Sequence, residues 1–155
     1  MITVHINARA DCPVPRELVR RAVLEVLHRE GVEVGDLSVT FVGDGEISEM
    51  HARYLDSHTP TDVLSFRLHG EGEDPLGDVY VGHAQARRQA DEAGVEVDAE
   101  LARLAVHGAL HVLGYDHPEG EGPERTASEM YARQEGALAA AVEGMAAASV
   151  GAVTR

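Results

Sequence analysis

The stretch Leu101-Ala102-Arg103-Leu104-Ala105-Val106-His107-Gly108-Ala109-Leu110-His111-Val112-Leu113 carries one full charge, at Arg103. A helix built from it is apolar nearly all round and has no face to offer to water, so it must be buried among other elements. The chain is long enough to do this. Its 155 residues fit one compact domain, and folding at this length buries roughly two-thirds of the surface that the unfolded chain exposes. Tryptophan is absent and aromatics are few, so Leu, Val and Ala must supply most of the packing.

The surrounding elements are legible from periodicity and punctuation. Ile2, Val4 and Ile6 alternate in a first strand. Over residues 15–30 apolar side chains recur at helical spacing, with Pro15 suited to the first turn and Gly31 to the stop. Residues 37–42 read as a second strand, and a strand, helix, strand order implies a right-handed crossover if the two strands lie parallel. Asp44 can cap a short helix that carries Ile47, Met50 and Tyr54 and ends before Pro60. Residues 61–66 and 77–81 are β-rich runs joined through a polar, glycine-containing loop, and are expected to pair antiparallel. Three more helices follow: 83–93 with Gly94 as stop, 98–113 with Asp98 as cap and Gly114 as stop, and 123–142 opened by Pro123. The expectation is an α+β single domain, with a small mixed sheet of about four strands packed against about five helices, one of them the buried helix above. The domain should span 1–142, and the Ala/Gly-rich segment 143–155 should fray into a loose tail.

Two histidines inside an apolar helix need partners. His107 and His111 are four residues apart, hence on one helix face with about 5–6 Å between Cβ atoms, which lets both imidazoles reach one ion at about 2.0–2.1 Å. Gly114 can adopt the left-handed conformation that ends a helix, turning His117 back toward the same point. In a chain with nine histidines, this H-x3-H-x5-H spacing arises by chance with a likelihood of about 3%. The blander account is two hydrogen-bonded core histidines and a surface His117. Three imidazoles with an open fourth position describe a catalytic zinc site, since structural sites are usually closed by four protein ligands. The spacing equals that of zinc proteases with H-E-x-x-H-x-x-G-x-x-H, yet Gly108 stands where those enzymes place their glutamate base. A peptidase of that type is not expected, and no residue is singled out as the catalytic base.

The run His107-Gly108-Ala109-Leu110-His111-Val112-Leu113-Gly114-Tyr115-Asp116-His117 resembles the signature H-G-x-L-H-L-x-G-Y-D-H of the YbeY family of bacterial endoribonucleases, with Val112 for the second leucine. Pro60-Thr61-Asp62-Val63-Leu64-Ser65-Phe66, Gly77-Asp78-Val79 and the pair Glu129-Met130 are similar to further family segments, so the resemblance extends over most of the chain. It implies a mixed sheet with helices around it, one zinc ion per chain held by His107, His111 and His117, and a role in ribosomal RNA maturation and ribosome quality control. The chain departs from the family in one place. Many members have an arginine six residues before the threonine of TDVLSF, in the cleft facing the metal, where this chain has Leu55. Arginine suits phosphate through its planar fork of donors. Arg53 lies about 160° from position 55 around a helix axis, and His58 is another substitute.

Other residues have both a structural and a functional account. Residues 61–66 fill the core as a strand, and their exposed edge can also align an extended substrate, with Asp62 or Ser65 in contact with it. Asp116 either orients a metal-binding imidazole or stabilises the turn after Gly114. Arg16, Arg20, Arg21 and Arg29 concentrate positive charge on the first helix, as solvated surface or as a footprint for phosphates, and no aromatic stripe accompanies them. His69 and His83 lack motif spacing. The net charge of −14 repels nucleic acid at long range, so an RNA role must rest on a local basic patch, and DNA is not an expected partner. The single cysteine, Cys12, forms no internal disulfide, and no segment looks like a signal peptide or a membrane span, which points to the cytoplasm.

These readings converge on a zinc-dependent, single-strand-specific endoribonuclease acting on ribosomal RNA or ribosomal subunits. The competing class is a ribosome-assembly or RNA-binding factor in which the metal is mainly structural, and Leu55 is the feature that favours it. A third is a metal-dependent hydrolase acting on a small molecule.

Overall fold

Alternating apolar residues in the first two strands bring β1 (Ile2–Ala8) and β2 (Gly35–Val42) together in parallel, with Val4 opposite Leu37 and Ile6 opposite Val39. The structure is a computed structural model and describes residues 1–55, 62–115 and 127–153. β4 (Leu76–Gly82) adds parallel to β2, and β3 (Val63–Arg67) pairs antiparallel with β4 at the edge, giving the order β1-β2-β4-β3. The sheet is mixed and four-stranded, as the sequence predicts.

The two faces of the sheet carry separate cores. Leu37, Val39, Phe41, Val79 and Val81 point into the larger one, beneath α1 (Arg16–Arg29), α4 (Val97–Val112) and α5 (Ala132–Val153). One residue out of phase, Val42, Leu64, Phe66 and Tyr80 form a second cluster with Ile47 and Met50 of α2 (Asp44–Leu55) on the opposite face. There Tyr54, Phe66 and Tyr80 stack edge to face, with ring centroids 5.3 and 5.9 Å apart. α3 (His83–Ala93) packs against α4. The period of two in each strand thus assigns its side chains to two cores.

The glycine stops act as the sequence predicts. Gly31, Gly94 and Gly114 have φ of +81°, +69° and +109°, and each ends a helix in the left-handed conformation that only glycine adopts freely. The boundaries elsewhere moved. α4 starts at Val97 after Glu96 with no side-chain cap, so Asp98 lies in the first turn as a charge favourable to the helix dipole and does not cap it. β3 begins at Val63 and extends to Arg67, and Thr61 lies outside the described residues. The last helix begins with a π-helical turn at Ala127–Tyr131 and continues as α5 to Val153. Pro123, its expected first residue, lies outside the described residues. The alanines that suggested a fraying tail favour helix, and Gly136 and Gly144 leave room for Arg29 and Arg21 of α1 to lie across α5.

Candidate functional site

α4 is held against the sheet at two reciprocal glycines. A Cβ on Gly108 would collide with Val79 Cγ1 and sit 3.0 Å from Ser65 Oγ and 3.1 Å from Val63 Cγ2. One on Gly77 would meet Val112 Cγ1 at 2.6 Å and the Phe66 carbonyl oxygen at 2.8 Å. The backbones of sheet and helix therefore approach as only glycine permits. Position 108 points into the sheet, which is why no glutamate base can stand there, and His107 and His111 lie on the adjoining flank of the helix.

At the C-terminus of α4, Gly114 N–H donates to the His111 carbonyl and Tyr115 N–H to the Leu110 carbonyl, each at 3.0 Å. This paired closure turns the chain back on itself. It brings the Tyr115 carbonyl oxygen to 2.7 Å from His111 Nδ1. A carbonyl only accepts, so Nδ1 of His111 carries the proton and its Nε2 presents a lone pair. His107 Nδ1 lies 2.8 Å from Gln134 Oε1. The orientation of that amide follows from its other end, where Gln134 Nε2 donates to Glu135 Oε2 at 3.0 Å. His107 therefore donates through Nδ1 as well. The two Nε2 atoms are 3.0 Å apart.

Two imidazole lone pairs at that separation repel unless a proton or a metal cation lies between them. Nitrogens each bound at 2.0–2.1 Å to one tetrahedral zinc ion are about 3.3–3.4 Å apart, so the pair is spaced for one shared ion with little adjustment. Among the described residues no third His, Cys, Asp or Glu completes such a group. His117, the third expected ligand, lies outside the described residues, as do Asp116 and His58.

The acceptors are themselves held by ion pairs. The Tyr115 hydroxyl donates to Glu30 Oε1 at 2.6 Å, and Arg133 Nη1 donates to Glu30 Oε2 at 2.7 Å while its guanidinium sits 5.5 Å from the Tyr115 ring centroid. Burial, reinforced by Glu30, pushes the Tyr115 hydroxyl up to about 12, so it remains a donor. Arg103 grips Glu135 through Nε at 2.8 Å and Nη2 at 3.2 Å, and Glu100 through Nη1 at 2.6 Å. None of Gln134, Glu135, Arg133 or Glu30 was singled out from the sequence. The available signal was Gln134, a polar residue within the apolar stripe of the last helix.

The remaining candidates have mixed placements. Asp62, at the head of β3, accepts from Gln89 Nε2 at 3.1 Å. The Ser65 hydroxyl donates to the Gly108 carbonyl at 3.0 Å, and so faces α4. Leu55 ends α2, and Arg53 lies 3.8 Å from Glu49. On α1, Arg16 donates to the Ile6 carbonyl at 2.6 Å, while Arg21 and Arg29 pair with Glu17 and Glu25 at 3.3 and 3.0 Å. That arrangement fits fold support better than a phosphate footprint. His83 is buried against the Pro13 carbonyl at 2.8 Å, and His69 closes the β3–β4 loop between Arg67 and Leu76. Both are structural. Among the described residues no helix is long and apolar enough to cross a membrane.

Comparison with known proteins agrees with the resemblance. Residues 6–141 match the family described as endoribonuclease YbeY. A protein of Moorella thermoacetica carrying that name is 41% identical over 148 residues, which is 86% of this chain and 92% of the relative. One of Bacillus mycoides, also so named, is 41% identical over 135 residues, 79% of this chain and 84% of the relative. A solution structure from Thermotoga maritima superimposes with a TM-score of 0.64 at 23% identity, over 94% of this chain and 93% of that one, a likeness of fold alone.

Proposed function

The chain belongs to the YbeY family, and on that premise we propose that it is an endoribonuclease that cuts single-stranded segments of ribosomal RNA, in maturation and quality control of ribosomes in the cytoplasm, with one zinc ion held by His107, His111 and His117. The observation that carries the metal assignment is the pair of Nε2 atoms 3.0 Å apart, with each ring's Nδ1 already committed to an acceptor. Neutral imidazole bound through one nitrogen, with the other donating to a carbonyl, is the usual state of a histidine ligand.

A divalent ion in that position supplies Lewis acidity toward a phosphoryl oxygen and toward water. The protein's own residues do the positioning. Gly77 and Gly108 bring β3 close alongside α4, and Ser65 ties the strand to the residue next to His107. The edge of β3 then forms one wall along which an extended RNA strand is guided. Asp62, steadied by Gln89, stands at the entrance to that wall. In this scheme Ser65 contacts substrate only indirectly, by fixing the wall.

The test compares wild type with His111→Ala for bound metal and for cleavage of structured ribosomal RNA, with and without a chelator. The expected result is zinc in the wild type alone, with cleavage abolished by the substitution and by chelation. Metal in neither protein would remove the site. Metal in the wild type without metal-dependent cleavage would instead favour an assembly factor, the reading to which Leu55 lends support.

A further inference from the structure

α5 and the π-helical turn before it bury one stripe, formed by Met130, Ala137, Leu138 and Ala141 together with Gln134. Four of these are apolar, and the amide in their midst is 6% exposed. A buried amide without partners costs about 1–3 kcal/mol, so a glutamine on a packing stripe calls for a reason. Both ends of this one are used. Oε1 faces His107 Nδ1 at 2.8 Å, and Nε2 donates to Glu135 Oε2 at 3.0 Å. Glu135 cannot turn away, because Arg103 holds both of its oxygens and is itself anchored by Glu100. An amide can present either its oxygen or its nitrogen to a neighbour. Here the carboxylate removes that freedom, since it accepts only from the nitrogen end.

We propose that Gln134, locked by the Arg103–Glu135 pair, is a positioning residue that sets the tautomer and direction of the His107 ring, and so the readiness of its Nε2 to bind metal. The inference rests on reading His107 and His111 as metal ligands. His111 takes its orientation from a backbone carbonyl instead, so it serves as an internal control within the same molecule. A glutamine present only for packing would not distinguish the two rings.

The experiment uses ¹⁵N-histidine spectra of the metal-free full chain in mildly alkaline buffer, where unpaired imidazole is neutral, together with zinc titration against a competing chelator. In the wild type both rings should show the proton on Nδ1. In Gln134→Leu, His107 should lose that preference while His111 keeps it, and zinc affinity should fall about 10–100-fold. Gln134→Glu alone would set a second carboxylate against Glu135, whereas Gln134→Glu with Glu135→Gln keeps an acceptor for His107 and a donor for the new carboxylate, and should restore the tautomer with affinity within about tenfold of wild type. Glu135→Gln frees the amide without touching the stripe and should give a mixture of His107 tautomers. Unchanged His107 spectra and zinc affinity in Gln134→Leu would overturn the proposal, as would equal changes in both rings. A wild type that shows the tautomers but takes up no zinc would refute the metal reading while leaving the orienting role of Gln134 standing.

Discussion

At position 108 a hydrogen atom stands where the zinc proteases carry a side chain, and the sheet explains why. Gly108→Ala would press a methyl group onto Val79 Cγ1 and should cost about 1–3 kcal/mol of stability, read as a lowered denaturant midpoint, before any effect on activity. Ser65 offers a sharper separation of roles. If its hydroxyl supports the wall, as its bond to the Gly108 carbonyl indicates, Ser65→Ala should lose about 0.5–1.5 kcal/mol of stability with little change in the KM for RNA. A large rise in KM at unchanged stability would return Ser65 to direct substrate contact. Cys12 is buried, and burial raises its thiol pKa, with Asp11 adding to the effect. The native thiol should therefore resist alkylating reagents at neutral pH and react promptly on unfolding. Because the folded pKa is raised, the stability this group contributes is complete below the ordinary thiol range and lost as pH rises through the folded value.

Among the elements, α4 and the start of α5 do most to shape the site. Apolar composition made the burial of α4 foreseeable, and the positive φ of Gly114 ends it where the motif predicts. What periodicity leaves open is the partner of a polar atom on another element. Tyr115 illustrates this. Its carbonyl serves His111, while its hydroxyl and ring are clamped 85 residues away in sequence by Glu30, with Arg133 over the ring. Tyr115→Phe keeps the carbonyl but removes a hydrogen bond to a charged acceptor. It should lower stability by about 1.5–3 kcal/mol in thermal or denaturant unfolding, with zinc content retained.

Across the whole molecule, acidity sets the terms on which RNA can bind. With a net charge of −14, long-range attraction is absent, and Arg16, Arg21 and Arg29 of α1 are bound to Ile6, Glu17 and Glu25. Arg21→Gln with Arg29→Gln should therefore leave RNA affinity within about twofold. It should also leave the slope of log affinity against log salt unchanged, where each lost phosphate contact on a single strand would reduce it by about 0.7. A slope shallower by that amount or more would restore the phosphate footprint to α1.

Local patterning alone determined the strand alternation, the glycine stops and the histidine pair, because each depends on residues a few positions apart in the chain. Tertiary structure alone decided the pairing of β2 with β4, which face of α4 meets the sheet, and which residues orient the two rings. Such outcomes depend on polar atoms brought together from distant segments, as when Gln134 comes to rest against His107. A buried amide must find a partner somewhere, but only the packed chain says which one.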